Sequence, residues 1–167
     1  MASKGIIKGT SIDNFEPEAK ITRADFVSLL IRTFDLRGPI ITEFSDVKPT
    51  DYYYEAVGIA KSLGLVIGDG KGNFNPHDRI KRQDMITIMG KLMNSKGMLP
   101  LDVDVNVLNS YKDKEQISEY ARENMAAMVY KSFILGDNSY LKPLDDLTRA
   151  EAAVVIYRLY NDFYDFK

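Results

Sequence analysis

Residues 21–30 read Ile21-Thr22-Arg23-Ala24-Asp25-Phe26-Val27-Ser28-Leu29-Leu30, and the pattern returns twice. It stands again as IKRQDMITIM from Ile80 to Met89 and as LTRAEAAVVI from Leu147 to Ile156. Each copy opens with an aliphatic residue, a polar residue, an arginine, a spacer and an acid. Apolar residues then recur at helical spacing: Phe26, Leu29, Leu30 and Phe34; Met85, Ile88, Met89 and Leu92; Ala152, Val155, Ile156 and Leu159. That predicts one buried stripe on each of three helices. Thr22 with Asp25, and Thr148 with Glu151, have the spacing of capping boxes. Such a cap stabilises a helix start by about 1 kcal/mol. Ile21 and Leu147 are placed to form the outer half of a hydrophobic staple, whereas Lys81 removes the cap from the middle copy. The cap does not account for Arg23, Arg82 and Arg149. A cation in the first turn opposes the helix dipole by roughly 0.3–1 kcal/mol. Two readings remain for them: an inter-repeat salt bridge, or an anion site where guanidinium and free helix N–H groups face a carboxylate or phosphate.

The repetition extends outward. An offset of 59 (82 − 23) pairs Gly5 with Gly64, Gly9 with Gly68, Phe15 with Phe74 and Pro17 with Pro76. An offset of 67 (149 − 82) pairs Pro76 with Pro143, and upstream it drifts to 68, where Gly68 meets Gly136. FSDVKPTDYYYEAVGIAKSLGLVIG, residues 44–68, also matches YKDKEQISEYARENMAAMVYKSFILG, residues 111–136, with one inserted residue. That match pairs Asp46 with Asp113 and Tyr52 with Tyr120. Each unit therefore predicts an aromatic-Asp lead-in, a first helix, a glycine-bounded loop and a second helix. The middle unit's first helix carries Tyr54, Val57, Ala60 and Leu63 or Gly64, with Gly64 as its stop. The last unit's runs from about 117 to 132, with Tyr120, Met125, Met128 and Val129 as its stripe. The methionines are read as core packing.

Composition bounds the function. The 167 residues include 22 basic and 24 acidic ones, and this near balance argues against bulk nucleic-acid binding. The absence of cysteine excludes disulfides and thiolate metal sites. No apolar run reaches a membrane span of about 18 residues. The opening MASKG reads as an added start rather than a natural N-terminus, so the lack of a secretory signal says little about destination. The single histidine, His77, reads as an exposed loop residue and makes neither a zinc site nor a triad. DVDVN, residues 102–106, imitates a calcium loop but has Val107 where glycine is needed, so it reads as an extended linker. GDGKGNF, residues 68–74, lacks the Lys-Ser/Thr of a phosphate-binding loop. No activated nucleophile, metal centre or glycosidase carboxylate pair is recognised, and no cofactor or enzyme activity is expected.

ITRADF, LTRAEA, FSDV ahead of Tyr52, and GLVIGDGKGNFNP ahead of IKRQD together resemble the S-layer homology (SLH) repeats of bacterial surface proteins. The resemblance runs from Gly5 to about Asn161 and covers between two and a half and three repeats. It implies an all-α fold, with helix-loop-helix repeats in a pseudo-threefold bundle and loops as prongs. It also implies noncatalytic, extracellular anchoring to the bacterial cell wall through a secondary cell-wall polysaccharide, often pyruvylated. The ligand residues it implies are Arg23, Arg82 and Arg149, Asp46 and Asp113, Tyr52 and Tyr120, and Gly9, Gly68 and Gly136. A pyruvate carboxylate suits bidentate arginine, aspartate accepts from sugar hydroxyls, and glycine admits close backbone approach. Each type also has a structural reading: Asx-type caps for the aspartates, core packing for the tyrosines, helix termination for the glycines. The alternative function is a helical module for protein–protein or self-association in a surface layer.

The expected division is repeat 1 at 1–43 without its front half, repeat 2 at 44–93, a linker at 94–110, repeat 3 at 111–161 and a tail at 162–167. The missing front half predicts an apolar face completed by a homodimer or domain swap. Repeat 2 has IKRQD in place of ITRAE, with Lys81 adding charge, and repeat 3 lacks the Gly-x-Phe loop and ends its first helix at Ser132.

Overall fold

The computed structural model describes residues 16–100 and 102–165, Asp165 by its backbone alone. Among the described residues there are five α-helices: α1 Arg23–Thr33, α2 Tyr54–Ser62, α3 Arg82–Ser95, α4 Glu119–Tyr130 and α5 Arg149–Asp165. Two short 3-10 helices, Val105–Ser110 and Lys114–Gln116, precede α4. Among the described residues there is no strand, only isolated bridges, so the fold is all-α as the resemblance implies. The expected extended linker is overturned at its end: Asp104 accepts from the Asn106 N–H and starts the first 3-10 helix.

The described chain forms two compact units. One joins residues up to Ile80 with Leu147–Tyr164, and the other is Lys81–Asp146. In the first, α1 packs on α2; in the second, α3 packs on α4. A second helix thus packs on the first helix of the following repeat. The three second-helix stripes are buried as expected, as are Met125 and Met128 of α4. Leu63 and Tyr120 depart from the expected stripes and face solvent. Leu63 sits past the last turn of α2, and Leu65 takes the buried place instead.

Helices α1 to α4 end alike. The first residue past each cap takes positive φ: Asp35 at 46°, Gly64 at 69°, Gly97 at 69° and Ser132 at 59°. The next N–H then reaches back five residues, as Leu36 to Ile31, Leu65 to Ala60, Met98 to Met93 and Phe133 to Met128. This is a Schellman closure with an apolar residue tucked behind it.

The aliphatic residues that open the repeated pattern form a closed ring in the first unit. Ile21 N–H donates to Leu147 at 3.0 Å, Leu147 N–H to Ile80 at 3.3 Å, and Ile80 N–H to Ile21 at 3.1 Å. All three side chains are buried. One position from each repeat thus meets its two counterparts, which is why the aliphatic residue recurs.

Candidate functional site

The helix mouths are built by the repeats on one another. In α1 the Arg23 and Ala24 N–H groups donate to the Asp78 and Pro76 carbonyls. In α3 the Arg82 and Gln83 N–H groups donate to Asp145 and Pro143, and in α5 Arg149 and Ala150 donate to Ala19 and Pro17. The third N–H meets Thr22 Oγ1 in α1, the Lys81 carbonyl in α3 and Thr148 Oγ1 in α5. The expectation of free helix N–H groups for an anion is therefore overturned for these three helices, because the first three N–H groups of each have a protein acceptor. The capping box is complete only at Thr148 and Glu151, whose carboxylate accepts the Thr148 N–H at 2.8 Å.

Asp25 puts its carboxylate to another use. It accepts the Tyr52 hydroxyl at 2.7 Å. Tyr52 is 72% exposed overall, so it is not core, but its hydroxyl end is desolvated beside Asp25. That burial, then the bond and charge of Asp25, push the phenol well above its usual range; the Arg149 guanidinium pulls the other way. An acid from repeat 1, a tyrosine from repeat 2 and an arginine from repeat 3 share one electrostatic neighbourhood. In the second unit the exposed Tyr120 likewise donates its hydroxyl to Asp84.

The expected aspartates clamp loops. Asp46 accepts the Phe74 and Asn75 N–H groups at 2.8 and 2.7 Å. Asp113, buried, accepts those of Leu141 and Lys142 at 3.0 and 2.7 Å. These are contacts 28 and 29 residues away, not Asx caps on the following segment. The glycines serve the same loops. A Cβ on Gly68 would stand 2.5 Å from the Asn73 carbonyl oxygen, and one on Gly136, where φ is +70°, 2.6 Å from that of Tyr140. Helix termination falls to Gly64 and Ser132 instead. Gly9 lies outside the described residues, as do Gly5 and Phe15.

Arg23 is more deeply used by the fold than its local cost suggests. Its Nε donates to the Phe74 carbonyl at 3.0 Å, and its guanidinium lies 5.0 Å from the centroid of the Phe74 ring. Arg82 differs. The residue equivalent to Phe74 is Leu141, which offers no π face, and Arg82 Nε is buried without a hydrogen-bond partner among the described residues. Lys81 does not add free charge, since its Nζ is paired with Asp146 at 2.6 Å. His77 sits in an exposed loop with its ring edge-on to Tyr53. Residue-by-residue reading missed Phe74, Asp25 and Asp84 as partners, although all three stood in the repeat alignment.

The described helices include none long and apolar enough to cross a membrane. The family model for the S-layer homology domain matches residues 1–27, 43–86 and 110–153. An amylopullulanase of Thermoanaerobacterium thermosulfurigenes is 34% identical over 162 residues, covering 95% of this chain and 8% of that protein. Exoglucanase XynX of Acetivibrio thermocellus is 34% identical over 162 residues, covering 95% of this chain and 14% of its own length. An S-layer protein of Bacillus licheniformis is 32% identical over 109 residues, covering 63% of this chain and 12% of its own. The chain thus spans a small fraction of the relatives it matches. With three matched segments that carry the helix mouths, the loop clamps and the tyrosine–acid pairs, this chain belongs to the S-layer homology domain family.

Proposed function

We propose that this chain is a noncatalytic anchoring module that tethers a bacterial surface protein to the cell wall by binding an anionic, pyruvylated secondary cell-wall polysaccharide. The observation that carries the reading is Arg82, whose Nε is buried with no hydrogen bond among the described residues. A buried donor left unsatisfied costs about 1–3 kcal/mol, and among the described residues no protein group offsets that cost at Arg82. A ketal carboxylate fits, because it takes two parallel bonds from one guanidinium. Arg23 and Arg149 serve equivalent places. The exposed rings of Tyr52 and Tyr120 offer flat faces to sugar rings, with their hydroxyls held by Asp25 and Asp84. Asp46, Asp113, Gly68 and Gly136 act one step removed, by fixing the loops beside the arginines. Several weak sites on one polymer bind more tightly than any alone, which makes a net charge of -2 no obstacle.

Cosedimentation with purified wall polysaccharide tests the reading. The protein should pellet with intact polymer and stay in solution with polymer stripped of its pyruvyl groups. If the variant with Arg23, Arg82 and Arg149 all changed to alanine still folds and pellets undiminished, the mechanism is wrong.

A further inference from the structure

The middle copy of the repeated pattern reads IKRQD where the others read ITRAD and LTRAE, so Gln83 stands where they have Ala24 and Ala150. Gln83 is 5% exposed, and its side chain bridges α3 and α4, which pack together. Its Oε1 accepts the Ser118 N–H at 3.0 Å, and its Nε2 donates to Ser118 Oγ at 3.1 Å. A backbone N–H can only donate, which fixes the amide in that orientation. Ser118 is the N-cap of α4, yet its own side chain makes no cap bond. In a capping box the third helical residue returns a side-chain oxygen to the N-cap N–H. Here that residue is Ala121, which has none, and Gln83 supplies the oxygen from the neighbouring helix. The Gln83 N–H is itself held by the Pro143 carbonyl, so backbone and side chain are both anchored.

The clasp lies beside a pair made by the residues that follow. Asp84 accepts the hydroxyl of Tyr120, two residues after Ser118. Tyr120 is 53% exposed but stands in the first turn of α4. Its counterpart Tyr52 is 72% exposed and lies in a turn ahead of α2, which begins only at Tyr54. Ala24, beside Asp25, has no side-chain amide to make an equivalent clasp. We propose that Gln83 is a positioning residue for ligand at Tyr120: it fixes the start of α4, so that the Tyr120 ring meets an anionic wall polysaccharide in one orientation. The site at Tyr120 is thereby better ordered before binding than the one at Tyr52. This role rests on the polysaccharide reading, but the ordering of the ring is measurable without ligand.

Gln83→Ala installs the residue of the other two copies, so the fold should hold. With fluorotyrosine incorporated, the Tyr120 signal in fluorine NMR is identified by its loss in Tyr120→Phe. In Gln83→Ala, with no ligand present, that signal should move toward the shift of free fluorotyrosine. Binding to purified pyruvylated wall polysaccharide, titrated by sedimentation, should weaken about two- to tenfold, the cost of ordering one loose side chain. In a Tyr120→Ala background, which keeps the Tyr52 site, the same substitution should weaken binding no further. An unchanged ring signal or undiminished binding in Gln83→Ala would overturn the proposal. So would an equal loss in both backgrounds, since Gln83 would then act through the fold at large. Failure of the wild type to bind the polymer would sink the polysaccharide reading itself, a result that the ligand-free ring signal tells apart from failure of the clasp.

Discussion

Arg23 and Asp46 hold opposite ends of one residue. The Nε of Arg23 donates to the Phe74 carbonyl at 3.0 Å, while Asp46 Oδ1 accepts the Phe74 N–H at 2.8 Å. A second helix and a lead-in segment from different repeats thereby fix the same loop. An arginine proposed to meet ligand and an aspartate that shapes its surroundings are coupled through that residue.

Arg23→Lys should therefore cost more than Arg82→Lys. Both keep the charge, but the first loses a hydrogen bond and a planar contact with the Phe74 ring, together about 1–2 kcal/mol. Arg82 Nε has no bond to lose. Urea unfolding of the two variants gives the comparison directly, and equal midpoints would mean that the Phe74 contact contributes nothing.

Asp113→Asn should destabilise by about 2 kcal/mol, because both oxygens of the buried carboxylate accept backbone N–H groups. An asparagine presents one acceptor and one donor, and the donor faces an N–H. Asp46→Asn should cost less, since Asp46 is only partly buried. Circular dichroism melts would show the order, and a neutral Asp113→Asn would remove the clamp from the account.

Much of this architecture was legible in the repeats. The offsets carried Gly68 onto Gly136 and Asp46 onto Asp113, and both pairs do equivalent work. The stripes of the second helices followed from period alone. What was not legible was pairing at a distance. Nothing in a capping box announces that Asp25 will also take a hydroxyl 27 residues away, or that Pro76 and Pro143 will close the mouths of α1 and α3. Such partners are set by packing between repeats, which local propensity does not encode. Nor does the sequence announce that Glu16, Asn75 and Lys142, each before one of the aligned prolines, all take positive φ.

Ser132→Gly should stabilise the protein by about 0.5–1 kcal/mol. Ser132 ends α4 at φ 59°, where Gly64 ends α2 at 69°, and a residue with a Cβ is disfavoured there. Gly64→Ala should cost a similar amount from conformation alone, as a Cβ there meets nothing within 4 Å. Gly136→Ala should cost more than either, because the new methyl would also strike the Tyr140 carbonyl at 2.6 Å. Thermal midpoints of the three variants would rank them, and a destabilised Ser132→Gly would refute the cap argument.

The Tyr52–Asp25 pair predicts an alkaline weakness. The folded-state phenol is raised above its ordinary value of 10.0, first by burial of the hydroxyl end and then by Asp25. Below pH 10 the phenol is neutral in both states, and the associated stability is fully present. As pH climbs past 10 the unfolded chain releases this proton while the folded chain holds it, so unfolding becomes easier. Tyr52→Phe cannot ionise and lacks that dependence, although it loses the bond to Asp25 at every pH. The variant should be less stable than wild type at pH 7, and the gap should narrow between about pH 10 and 12. Urea titrations at both ends of that window would test it, and a gap that stays constant would mean the phenol is not held by Asp25.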